Sequence, residues 1–276
     1  MRHHRQCGDD ETPMLGDVAS RRRSMSSVSA ANVSYKNNLL SALAADDATW
    51  LEAHLEPVTL PLGTVIVEPD QPIAHAYFIE EGLCSVVSRQ VGGGRVEIGL
   101  FGRDGVSGTA LLLGADRIPH EIFLQVAGRG HRITAEVLKR ATERSSGFRD
   151  LLLRYTQTYL IQIAQTALAN AAAPAEERLA RWLLMYHDRQ DGDDLSVTHD
   201  FLSMMLGVRR PTVTVAIHIL EGAGLVRARR GRITVLDRQG LEDAAGESYG
   251  AAEAEYERLI GPLRRDAPVS FDRTVA

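Results

Sequence analysis

The chain has 276 residues, 44% of them apolar and 24% charged, with a formal charge of −5. This is the composition of a soluble globular protein with room for two domains and a sizeable core. No apolar run reaches the roughly 18 residues of a membrane span, and the opening MRHHRQCGDDET has no apolar stretch behind its basic residues to serve as a secretory signal. Two distant cysteines, Cys7 and Cys84, make neither a disulfide framework nor a CxxC metal site. A reducing, cytoplasmic setting with no membrane partner is expected.

Residues 1–34 are rich in Ser, Arg and Asp and lack apolar periodicity, which predicts a disordered extension. A start at Met25 would lose nothing foldable. His3, His4 and Cys7 lack a fourth ligand, so no metal is expected there. From Tyr35 to Leu55 come two short helical patterns, Leu39, Leu40 and Leu43, then Trp50, Leu51 and Leu55, with Asp46 and Asp47 as expected N-caps.

From Val58 to Ile133 the period changes. The runs TVIVE, AYFIE, LCSVVS, VEIGL, EIFLQV and HRIT are short and rich in β-branched residues. Turn chemistry separates them, including Glu81-Gly82, Gly92-Gly93-Gly94 and Gly102-Arg103-Asp104-Gly105. This predicts a jelly-roll β-barrel over residues 35–145, within an α+β chain.

The stretch FRDLLLRYTQTYLIQIAQTALANAAA then reads as one long helix over 146–173. Leu151, Leu152, Leu153, Tyr155, Tyr159, Leu160, Ile161 and Ile163 cover more than one stripe, so more than one side must be buried. One side suits the barrel and the other the same helix of a second copy, which predicts a homodimer. Pro174 opens a further helix carrying Leu179, Trp182, Leu183 and Tyr186, which the acidic DRQDGDD ends. The segment 174–263 is expected to hold a last folded unit and one more helix from Leu241 to Leu263, before a flexible tail over 264–276.

Although the chain is acidic, Met205–Arg238 carries seven Arg against one Glu and one Asp. Thr198 is an expected N-cap for a helix with Phe201, Leu202, Met205 and Leu206, and Gly207 breaks it. Pro211 starts a second helix that turns Val213, Ile217 and Leu220 inward. Two short helices joined by a tight turn make a helix-turn-helix, and LVRARRGRITVLD adds a basic hairpin, a wing. In this motif the start of the second helix enters the major groove of double-stranded DNA. Arg209, Arg210, Thr212 and Thr214 are placed there, with His218 further along. Arg230 and Arg232 at the wing tip suit phosphates.

The helix-turn-helix VTHDFLSMMLGVRRPTVTVAIHILEGAGLV, the preceding EERLARWLLMYHDR, the wing RARRGRITVLD and the strands LPLGTVIVEPDQPIAHAYFIEEGLCSVV resemble the Crp/Fnr family of bacterial transcription regulators. The resemblance covers about 225 residues, roughly Tyr35 to Ile260. It implies a dimer that joins a cyclic-nucleotide-binding-like domain to a winged helix through a long helix, and that works with RNA polymerase. It also implies that Arg210 reads a base, that Thr198 and His199 contact phosphate, and that Arg230 and Arg232 are wing contacts. Pro211 and Val215 stand where many members have Glu and Arg, so a different target sequence is expected.

In the sensor, no acidic residue follows Gly108, and Arg117 precedes Ile118 and Pro119 rather than Ser, which argues against cyclic AMP. Two cysteines cannot hold an iron–sulfur cluster. A lone Cys84 reads as a small core residue, and His75, His120 and His131 are haem ligands by residue type alone. No cofactor is expected, and the effector is left open. A ligand-binding module that acts through protein partners, with vestigial DNA binding, is the other reading of the same pattern. No nucleophile–base pair or phosphate-cradling loop suggests an enzyme; Gly92-Gly93-Gly94 has no helix behind it.

Overall fold

Five antiparallel strands form between Glu56 and Thr134 in the computed structural model, which describes residues 35–89 and 94–263. Expectations for residues 1–34, including His3, His4, Cys7 and Met25, lie outside the described residues. So do those for Gly92, Gly93 and residues 264–276. The strands are β1 (Glu56–Leu60), β2 (Val65–Val67), β3 (His75–Arg89), β4 (Arg95–Phe101) and β5 (Glu121–Thr134). Their order is β1-β5-β3-β4, with β2 on a separate stretch of β5. No pairing joins β4 back to β1 or β2 among the described residues, so the sheet is open.

The expected closed barrel therefore does not form, and two of the expected turns or breaks at glycines are absent. AYFIE and LCSVVS are one 15-residue strand, β3, that runs straight through Glu81-Gly82. EIFLQV and HRIT are likewise one 14-residue strand, β5. Gly82 has φ +97, and a Cβ there would meet the Val126 carbonyl oxygen at 2.7 Å. The register of β3 on β5 shifts at this point, so Gly82 makes a bulge within a strand and not a reversal. One face packs Leu60, Val67, Ile79, Val86, Phe101 and Leu124 around the buried Cys84, whose thiol is pushed up by burial and then by Asp104.

Five helices surround this sheet: α1 (Asn38–Ser41), α2 (Ala45–Glu52), α3 (Thr109–Leu112), α4 (Ala135–Arg144) and α5 (Ser146–Ala172). Asn37 caps α1, accepting from Leu39 N and Leu40 N at 3.1 Å each. In α2 the N-cap is Ala44, not Asp46 or Asp47. Both aspartates fall in the first turn, where a carboxylate also suits the helix dipole. α5 buries Phe148, Leu151, Leu152 and Tyr155, while Leu153, Leu160 and Leu168 stay 38%, 52% and 58% exposed. The chain continues through α6 (Ala175–His187), β6 (Asp194–Ser196), α7 (His199–Leu206), α8 (Arg210–Gly222), β7 (Val226–Arg229), β8 (Arg232–Val235), α9 (Arg238–Ala245) and α10 (Ala251–Leu259). The single helix expected over 241–263 is two, because Gly246 (φ +53) and Gly250 (φ +110) take backbone conformations that a helix does not allow.

A buried polar seam joins the sheet to the C-terminal helices. Arg189, just past α6, grips Asp104 after β4 through Nε–Oδ1 at 3.0 Å and Nη2–Oδ2 at 2.7 Å, and both side chains are 3% exposed. Burial pulls the guanidinium down, but Asp104 and Asp188 outweigh it and hold Arg189 charged. The Asp104 carbonyl accepts from the Tyr256 hydroxyl at 2.7 Å, which brings in α10. Trp182 Nε1 donates to Glu97 Oε1 at 2.9 Å. Burial lifts the Glu97 carboxyl to about 7, against the pull of its hydrogen-bond donors and of Arg181 and Arg189.

Arg189→Met leaves Asp104 as an unpaired buried carboxylate and should cost about 3–5 kcal/mol in urea unfolding. Adding Asp104→Asn should restore at least half of that loss. A double variant no more stable than the single one would assign the loss to packing and not to charge.

Candidate nucleic-acid interface

The reader is built on a small sheet in the order β6-β8-β7 and on α6 to α9. Thr198 caps α7, its hydroxyl accepting from Phe201 N at 3.3 Å. Gly207 ends α7 in the left-handed region at φ +61, where a side chain is disfavoured. The turn is tied down by Val208 N to Ser203 O at 3.1 Å and by Ser203 Oγ to Val208 O at 2.6 Å. Arg209 is the N-cap residue of α8, Arg210 is the first helical residue and Pro211 the second, one place later than expected. Leu202, Met205 and Leu206 of α7 meet Val213, Ala216, Ile217 and Leu220 of α8 in one core with Leu179, Leu183, Leu195, Val226 and Ile233. That core uses one side of α8 and leaves the other to solvent.

The sequence-predicted site residues fall on this solvent side in different conditions. Arg209, Arg210, Thr212 and His218 are exposed on α8. Thr214 is half-buried and lies 3.2 Å from His199 Nδ1, so His199 and Thr214 connect α7 to α8. Thr198 is exposed but already occupied as a helix cap. Arg230 is exposed in the wing turn beside Gly231 (φ +73), between β7 and β8. Arg229 and Arg232 are paired across the hairpin there, and both are exposed.

The sequence reading missed the acidic partners. Arg210 Nε lies 3.2 Å from Asp200 Oδ1, and Arg232 Nη1 lies 3.0 Å from Asp194 Oδ2. Asp200 sits two residues after the Thr198 cap, and Asp194 ends the acidic run and opens β6, so both were visible only as local charges. Arg227 and Arg229 also stand exposed on the wing strand. Exposed ion pairs are worth little, about 0–1 kcal/mol. Either arginine can therefore leave its carboxylate for a phosphate or a guanine at small cost.

A capped helix, a left-handed glycine turn, a second helix with an exposed cationic start and an arginine-tipped hairpin define a winged helix-turn-helix DNA-binding protein. The profile of a Crp-like helix-turn-helix domain matches residues 177–244. The transcriptional regulator SdrP of Thermus thermophilus is 29% identical over 205 residues, which span 71% of this chain and 96% of that relative. Two solved structures share the fold. One is a CRP/FNR-family transcriptional regulator from Thermus thermophilus, with 24% identity and a TM-score of 0.55 over 70% of this chain and 100% of that one. The other is FixK2 from Bradyrhizobium japonicum, with 17% identity and a TM-score of 0.59 over 69% and 96%. Residues 177–244 thus match a Crp-like helix-turn-helix domain, and the chain is similar over most of its length to a transcriptional regulator and shares the fold of Crp/Fnr-family regulators. Among the described residues no helix is long and apolar enough to cross a membrane.

Asp200→Asn releases Arg210 and removes a negative charge from the face that meets phosphate. Affinity for duplex DNA, read by fluorescence anisotropy near physiological salt, should rise by up to about fivefold. A weakened complex would mean that Asp200 positions Arg210 for DNA and does not compete with it.

Proposed function

We propose that the chain binds an inverted-repeat DNA site as a homodimer and regulates transcription without cyclic AMP or an iron–sulfur cluster. The observation that carries this reading is α8, with four apolar groups turned into the core and Arg209, Arg210 and Thr212 turned outward at its start. In this reading residues 35–145 are a sensor-like domain, 146–173 the dimerisation helix and 174–263 the reader. Arg210 reads a base edge, while Arg230, Arg232 and the Thr198–His199 corner hold the DNA backbone. Contact with RNA polymerase follows from the family resemblance.

Dimerisation is supported by α5. At 100° per residue, Leu153, Leu160, Ala164 and Leu168 fall on one stripe, and all are exposed. A helix of 27 residues is about 40 Å long, and a second copy of the same stripe is the self-complementary surface a two-fold dimer uses. Because α5 leads from the sheet to the reader, its pairing is the element an effector would bias.

The cavity between the sheet and α5 speaks against a cyclic nucleotide. It has a volume of about 270 Å³, and Val86, Phe101, Gly108, His120 and Ile163 are among its walls. No Asp, Glu, Lys or Arg lines it among the described residues. Burial, against a weaker pull from Asp70, lowers the His120 pKa, so that ring adds no charge at neutral pH. Arg117 is exposed and paired with Asp116 at 2.9 Å. A phosphate placed here would lose its hydration without gaining a cation.

Randomised duplex DNA bound by the purified protein near physiological salt, without added ligand, should yield an inverted repeat with half-sites about one helical turn apart. On that site Arg210→Ala should cost about 1–3 kcal/mol and relax one base position, while Arg232→Ala should weaken all sequences alike. Bound DNA with no sequence enrichment would overturn the reading. Leu160→Glu should give a monomer in analytical ultracentrifugation and abolish the inverted-repeat preference; a variant that stayed dimeric would remove α5 as the interface.

A further inference from the structure

The reader surface carries a feature that arginine chemistry leaves unexplained. Opposite the buried Val213, Ala216, Ile217 and Leu220, helical geometry places Pro211, Val215 and His218 at the centre of the solvent face, with Ile219 on its flank. Val215 is 59% exposed and Ile219 is 47% exposed. Pro211, Val215 and Ile219 follow one another at intervals of four, so they form a continuous apolar ridge along α8. Their side chains have no hydrogen-bonding atom, so they can read neither guanine O6 and N7 nor cytosine N4.

The surroundings restrict what the ridge can meet. Arg209 and Arg210 stand at one end of it, and Arg227, Arg229, Arg230 and Arg232 line the neighbouring wing. A second copy docking here would bring arginines against arginines. The fitting partner has anionic walls and an apolar floor. The major groove of DNA has both, because phosphates flank it and each thymine presents a C5-methyl group at its base.

We infer that Pro211, Val215 and Ile219 form a thymine-methyl reading ridge, so each half-site carries A·T pairs beneath α8. This rests on the regulator reading above and adds the base class it recognises. Val215, central and most exposed of the two aliphatic side chains, is the specificity-determining residue. Arg210 at the helix start supplies the hydrogen-bonded contact beside it. The departure of Pro211 and Val215 from the polar residues common in the family then means a different chemistry of readout and not a loss of readout.

The test uses the enriched site and replaces each thymine in turn by deoxyuridine. That change keeps base pairing and the O4 acceptor and removes only the methyl group. At the positions under Val215 the expected loss is about fourfold per half-site and about fifteenfold when both half-sites are changed. Val215→Ala, at an exposed position where folding is unaffected, should bring thymine and deoxyuridine to equal affinity there while the base preference set by Arg210 persists. Equal binding of thymine and deoxyuridine throughout an enriched site overturns the inference and leaves the regulator reading standing. So does a Val215→Ala variant with an unchanged thymine-to-deoxyuridine ratio. Absence of any enriched site overturns the regulator reading itself, and the inference with it.

Discussion

The ion pair between Asp104 and Arg189 is the constraint on which the arrangement of this molecule rests. Its partners are 85 residues apart, one in the turn after β4 and the other just past α6. Both are withdrawn from water, so each is tolerable only in the presence of the other. A buried pair of this kind adds little net stability, but it permits one geometry. Since α6 also supplies Leu179 and Leu183 to the reader core, fixing Arg189 fixes the platform from which α7 and α8 project. Tyr256 on the Asp104 carbonyl extends the same constraint to α10.

The electrostatics of the chain are divided by region. Around α8 and the wing, exposed arginines rest on exposed aspartates and can exchange them for another anion at little cost. In the cavity between the sheet and α5 the walls are mostly apolar and, among the described residues, hold no Asp, Glu, Lys or Arg. A net charge of −5 says nothing about either place, because a binding partner responds to the local field. The exposed arginines of α8 and the wing suit a polyanion, while the cavity offers a phosphate no Lys or Arg among its described lining residues.

The helix-turn-helix was legible almost residue by residue. Its signals are local: a threonine cap, a glycine that must be left-handed, a proline that starts a helix and apolar spacing of one turn. Each acts over a few residues, and each is found where the spacing put it, apart from a shift of one place at Pro211. The sheet was legible as a set of β-forming runs, apart from β1, but neither the strand breaks nor the topology was. A Glu-Gly step means a turn when the chain reverses and a bulge when a neighbouring strand holds it straight, and only the partner strand decides between them. At Gly82 that partner is β5, whose Val126 carbonyl lies where a side chain would be. The same gap separates the expected caps Asp46 and Asp47 from the observed first turn, and the expected C-terminal helix from two shorter ones.

By itself the sequence determined most of the β-forming runs, the long helix and the winged helix-turn-helix, because periodicity, capping and turn chemistry are short-range and are written in adjacent residues. The tertiary structure decided whether the sheet closes, which arginines are already paired and which charges are buried. Those outcomes depend on groups brought together from distant parts of the chain: Gly82 with Val126, Arg232 with Asp194, Arg189 with Asp104. Desolvation and hydrogen bonding act only between groups in contact. Their consequences enter when the chain has folded, and no local pattern in the sequence carries them.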